Sequence, residues 1–127
     1  YSRLMNFVID INFAKKQKMK TTITNKEIES FKNKIIKEIN PRRIYLFGSM
    51  ANGTANEDSD LDLFIEIDNS SDIFRVKKLL NKTFINRTFP MDFKVETTQM
   101  INKNKHNSAS FFNQVILNHG KLIYERR

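Results

Sequence analysis

Two short clusters hold residue types that handle phosphates and metal ions. Gly48-Ser49 follows an apolar run, and Asp60-Leu61-Asp62 opens a second one after ten intervening residues. A glycine at a strand-to-helix turn lets the backbone approach a phosphate closely. The first amides of the following helix carry unpaired donors and partial positive charge, and Ser49 adds a hydroxyl. In the second run Leu61, Leu63, Ile65 and Ile67 fall on one face, and Asp60, Asp62, Phe64 and Glu66 on the other. Two carboxylates side by side on one strand face repel each other, and a divalent cation removes the conflict. Carboxylate oxygens are hard ligands suited to Mg²⁺ or Mn²⁺, with water and substrate phosphates completing the shell. Each cluster taken alone has a plainer reading. Gly-Ser turns are common, and Asp58-Ser59-Asp60 equally describes an Asx turn with Asp62 at a sheet edge.

The elements around these clusters follow from periodicity. Thr24 and Glu27 form a capping box, and Ile28, Phe31, Ile35 and Ile39 make one apolar stripe with Lys and Glu opposite. This predicts a helix over 24–40, stopped by Asn40-Pro41. A strand over 43–47 and a short helix over 49–52 lead to a loop over 53–59 and a strand over 61–67. Asn69-Ser70-Ser71 is expected to cap a helix with Ile73, Val76, Leu80 and Phe84 inward, ending near Asn86. Pro90 precedes a strand over 91–96, with Met91, Phe93 and Val95 on one face and Asp92, Lys94 and Glu96 on the other. Residues 97–107 read as irregular with one helical turn near Met100. Ser108 is expected to cap a last helix with Phe111, Phe112, Val115 and Ile116 as its apolar face. His119-Gly120 stops it, and a short strand over 121–125 closes the chain. The order is that of an α/β sandwich (α+β in the looser sense) with a small mixed sheet.

Composition bounds the rest. At 127 residues with 39% apolar content, the chain makes one domain with a modest core. It has no apolar run of about 18 residues, so no membrane span is expected. No signal-peptide pattern is present. Cysteine is absent, which favours a cytoplasmic location without disulfides. The formal charge of +8 suits polyanionic partners. The lysines are scattered among abundant Asn and Ile, however, so direct nucleic-acid binding is not expected. Asn-x-Ser/Thr matches at Asn52, Asn69, Asn81 and Asn86 follow from the same abundance. His106 and His119 are not at metal-ligand spacing. Residues 1–22 mix strand and helix periodicities and read as an N-terminal extension to a domain over 23–127, with Met19 an alternative start.

The combination is more specific than its parts. Leu46-Phe47-Gly48-Ser49, then Gly53-Thr54-Ala55, then Asp58-Ser59-Asp60-Leu61-Asp62-Leu63 resembles the signature of the nucleotidyltransferases related to DNA polymerase β. The likeness is to their small stand-alone branch, the minimal nucleotidyltransferases (MNT). It covers about residue 23 to the C-terminus, including the closing helix, glycine and strand.

The resemblance implies a polymerase β-like nucleotidyltransferase core and a third carboxylate on a later strand, for which Asp92 is the candidate. A strand-start aspartate chosen for turn chemistry is the alternative. Glu66 and Glu96 lie deeper along their strands. It also implies that ATP binds with its β- and γ-phosphates against Gly48 and Ser49. Asp60 and Asp62 would hold two Mg²⁺ ions, or Mn²⁺ in their place. Asp92 would bind the metal nearest the nucleophile and accept its proton. Close relatives carry Arg where Met50 and Asn52 stand, so positive charge is expected from Arg42, Arg43 or Lys94 instead.

Larger members of the superfamily add a helical acceptor domain, which this chain has no room for. The resemblance therefore points to the antitoxin half of a HEPN/MNT toxin–antitoxin pair, transferring AMP to a tyrosine of a HEPN ribonuclease toxin. A non-catalytic antitoxin that masks its toxin is a second reading. A nucleotidyltransferase acting on a small molecule or RNA end is a third, and fold likeness alone does not choose among acceptors.

Overall fold

The structure is a computed structural model and describes residues 23–56 and 59–127. The readings made for residues 1–22, and for Asp58 in an Asx turn, lie outside the described residues.

The first helix, α1, spans Asn25–Ile39. Thr24 caps it, its hydroxyl accepting from the Glu27 amide at 3.1 Å while the Glu27 carboxylate accepts from the Thr24 amide at 3.2 Å. It stops at Asn40, whose φ of 52° is left-handed and turns the chain into Pro41. Strand β1 (Arg43–Phe47) leads into α2 (Ser49–Asn52), strand β2 (Leu61–Ile67), helix α3 (Ile73–Thr83) and strand β3 (Met91–Thr97). Helix α4 (Thr98–Lys103), a π-helix over Phe112–Leu117 and strand β4 (Lys121–Glu125) complete the fold.

The sheet runs β3-β2-β1-β4. β1 pairs antiparallel with β2 and with β4, and β2 pairs parallel with β3. A parallel pair needs a crossover, and α3 supplies it. One sheet face carries Ile44, Leu46, Leu61, Leu63, Ile65, Ile67, Phe93 and Val95. These pack on Ile35 of α1, on Leu80 of α3 and on Phe84 at its C-terminal end. The other face carries Phe47 and Phe64, covered by Ile116 of the π-helix with Phe112 and Val115.

Several local expectations are corrected. Asp72, not Asn69-Ser70-Ser71, caps α3, accepting from the Phe74 amide at 3.0 Å, and α3 ends at Thr83 rather than near Asn86. Asn69 instead accepts from the Gln99 amide at 2.7 Å, tying the end of β2 to α4. Ser110, not Ser108, accepts from the Asn113 amide at the last helix, which has π rather than α geometry. The helical turn read near Met100 is present and extends over Thr98–Lys103 as α4, because Thr97 caps it by accepting from the Met100 amide.

Candidate active site

Gly48 makes the turn between β1 and α2 with φ 74° and ψ −158°, a conformation that disfavours any side chain. Space demands glycine as well, because a Cβ there would overlap the Asp62 carboxylate. The Ala51 amide donates to the Gly48 carbonyl at 3.0 Å, so the Ser49 and Met50 amides precede the first helical bond of α2. Gly53 closes this short helix at φ 79°, its amide donating to the Ser49 carbonyl.

Asp62 stands beside this turn, paired in register with Phe47 on β1 and with Asp92 on β3. Neighbouring strands are about 4.8 Å apart, so two carboxylates face the same side at close range. Asp60, just before β2, is exposed, Asp62 is half-buried, and Asp92 is exposed. The Asp62 carboxyl is pushed up from its ordinary range to about 6, first by burial, then by the charges of Asp92 and Asp60, while Lys94 opposes the rise. All three expected carboxylates therefore act on one locus, with Asp62 at its centre. Among the described residues, no three acidic or histidine side chains close into a ready-made metal cage. The set is an open cluster of hard oxygen donors whose negative charge Lys94 relieves only in part. That is the donor chemistry of a cation shared with a phosphate ligand.

The cations are sorted by register. Arg43 pairs with Glu66 at the far end of β2, about 13 Å along the strand from Asp62. Its Nη1 donates to Glu66 Oε1 at 2.9 Å and its Nε to Glu125 Oε2 at 2.7 Å. Arg42 reaches Glu66 at 4.0 Å and Asp68 at 3.6 Å, and Arg126 binds Asp68 at 2.8 Å. Of the three basic residues expected to compensate Met50 and Asn52, Arg42 and Arg43 are thus committed to a structural network. Lys94, two residues beyond Asp92 on the same face, remains with the carboxylates. Glu66 is 2% exposed and takes a further hydrogen bond from the Thr98 hydroxyl, so it is a structural acceptor rather than a site carboxylate.

One residue with a positioning role carried no sequence signal. The Asn113 amide group donates to the carbonyls of Asn104 (3.2 Å), Lys105 (3.0 Å) and Asn107 (2.8 Å), stapling that loop to the π-helix. Only the folded loop makes those acceptors converge.

A family model described as "Polymerase beta, Nucleotidyltransferase" matches residues 26–127. Solved structures share the fold at low identity. A toxin-antitoxin crystal structure with AMP-PNP is 21% identical, with a TM-score of 0.55 over 78% of this chain and 74% of that one. A candidate nucleotidyltransferase from Sulfolobus solfataricus is 15% identical, with a TM-score of 0.53 over 78% of each chain. A variant of the toxin-antitoxin MntA-HpeT is 19% identical, with a TM-score of 0.53 over 84% of this chain and 76% of that one. No curated protein matches the chain.

Proposed function

The chain belongs to the polymerase β nucleotidyltransferase family, and from that premise we propose that it transfers AMP from ATP to a tyrosine hydroxyl of a toxin partner of the HEPN type. The observation that carries the chemistry is the pairing of Asp62 with Asp92 on adjacent parallel strands, against the Gly48 turn. Asp60, Asp62 and Asp92 are the residues that would hold divalent cations, Mg²⁺ or Mn²⁺. Such ions, when bound, neutralise phosphate charge and lower the proton affinity of a nearby hydroxyl.

The protein's own part is binding, orientation and proton handling. The Gly48-Ser49 turn receives the β- and γ-phosphates, since the glycine leaves the backbone uncovered and Ser49 adds a donor. Lys94 supplies positive charge on the same face. Asp92, exposed on the outer strand, is placed to take the proton of the incoming hydroxyl. The acceptor oxygen bonds to the α-phosphorus, the bond from that phosphorus to the bridging oxygen breaks, and pyrophosphate leaves. Positioning and electrostatics supply the rate, with no covalent protein intermediate.

A protein acceptor is supported by the exposure of Asp60 and Asp92, which leaves the site open to a macromolecule. The fold likeness to toxin-antitoxin structures, one with AMP-PNP, supports it too. The test is intact mass of the partner after incubation with the chain, ATP and Mg²⁺. An AMP-sized gain that disappears with Asp62→Asn is expected. A partner that binds without gaining mass, and is still silenced by the double variant of Asp60 and Asp62 to Asn, would assign masking instead.

A further inference from the structure

The face that carries Asp62 and Asp92 continues into a cleft that the transfer reaction as described leaves without a role. In the parallel register the next pair on this face is Phe64 with Lys94, and the next Glu66 with Glu96. Over Phe64 stands Phe111, with ring centroids 6.2 Å apart and planes 18° from parallel. The Lys94 ammonium lies 5.8 Å from the Phe111 ring centroid. Between the sheet, α4 and the π-helix these side chains line a cleft of about 350 Å³, with Glu96, Met100 and Ser110 also on its wall. Its volume is within the range of small-ligand sites. It begins one residue pair from the carboxylates, about 7 Å along the strands. Phe111 is 40% exposed and Met100 41% exposed, so two apolar side chains flank an open slot.

We infer that this cleft holds the nucleobase of the nucleotide, stacked on Phe111. The inference rests on the reading that the triphosphate lies at Gly48, Ser49 and Asp62. A nucleoside extending from that position along the strands passes Lys94 and meets the exposed phenyl ring. Every base has a π-face to stack, and its edge carries several donors and acceptors. Glu96 and Ser110 are polar groups suited to such an edge. A tyrosine acceptor fits less well. It has one hydroxyl, which must sit beside Asp92, whereas Glu96 lies about 13 Å farther along β3.

The experiment is calorimetric titration of the full chain, with Mg²⁺, against ATP and separately against inorganic tripolyphosphate. Phe111→Leu keeps an apolar side chain there and removes the stacking face. It is expected to weaken ATP binding about tenfold and leave tripolyphosphate within about twofold. Met100→Trp fills the slot from an exposed position and should do the same even if Phe111→Leu loosens the fold. Unchanged ATP affinity in both variants overturns the inference. So does unchanged ATP affinity with a raised KM for the protein acceptor, which would assign the cleft to that acceptor. Equal weakening of both ligands overturns it as well, because the damage would then lie at the phosphates. The phosphate reading stands or falls separately, on whether Asp62→Asn abolishes the Mg²⁺-dependent binding of tripolyphosphate.

Discussion

Asp62 is half-buried between a glycine turn and a second carboxylate, and both neighbours set its behaviour. Its folded-state carboxyl is raised to about 6 by burial, then by Asp92 and Asp60, against an ordinary value near 3.9. A raised folded value means that the protonated form is favoured by folding. The associated stability is therefore full below about pH 4 and lost as pH rises through about 6. In chelator, the unfolding free energy should fall across that window by about 1 kcal/mol after solvent screening, read as a lower melting temperature. Asp62→Asn should flatten that dependence. Added Mg²⁺ at pH 7 should recover the lost stability in the native chain and not in the variant. The same substitution should lower AMP transfer by at least about a hundredfold, measured by intact mass with the partner in excess. Gly48→Ala meets both a left-handed backbone and the Asp62 carboxylate. It should cost about 2 kcal/mol in denaturant unfolding and weaken nucleotide binding.

At the scale of elements, the far end of the sheet is tied by charge. Glu66 is buried, with Arg43 and Thr98 as its hydrogen-bond partners. Arg43→Ala leaves a buried carboxylate short of its main partner and should destabilise by about 2 kcal/mol. A smaller effect of Glu66→Gln, which keeps the shape without the charge, is the expected contrast in the same melts. The last turn is tied by shape. A Cβ on Gly120 would sit 2.6 Å from the Ile116 carbonyl oxygen. Gly120→Ala should therefore shift β4 away from the π-helix, read as faster amide exchange in β4.

The strands, α1 and the position of Asp60 and Asp62 at the mouth of β2 were legible in the sequence because each rests on local pattern. Alternation fixes the faces of β2 and β3, Thr24 with Glu27 writes the start of α1, and an Asp-x-Asp at a strand mouth places Asp60 and Asp62. Asp92 was reached through family resemblance, and its pairing with Asp62 depends on register between strands. What escaped was non-local. Nothing around Arg43 says that its partner will be Glu66, nor that Thr98 and the π-helix will bury the polar face of β2. The Ser108 and Asn69 caps failed because several hydrogen-bonding side chains crowd each helix start, and tertiary contacts chose among them.

At the scale of the molecule, the carboxylates occupy one end of the sheet and the Arg42, Arg43, Arg126, Glu66 and Asp68 network the other. Arg42, Arg43 and Arg126 are held in that network, and Lys94 carries positive charge that acts on Asp62. Lys94→Glu should therefore weaken nucleotide binding more than Arg42→Glu, by about tenfold at low salt, with the difference shrinking as ionic strength rises. Equal effects of the two variants would place the phosphates elsewhere.

The parallel pairing of β2 with β3 also has a kinetic side. Asp62 and Asp92 become neighbours only after the crossover through α3 has closed, and long-range parallel contacts of this kind form slowly because loop entropy precedes their reward. A hairpin-like β1–β2 pair can gather Gly48, Asp60 and Asp62 early, but the paired carboxylates exist only once β3 has joined β2. Refolding from denaturant should then show tryptophan-free probes of secondary structure, such as far-ultraviolet circular dichroism, recovering before Mg²⁺-dependent nucleotide binding. A newly made chain would lack its paired carboxylates until β3 has docked beside β2.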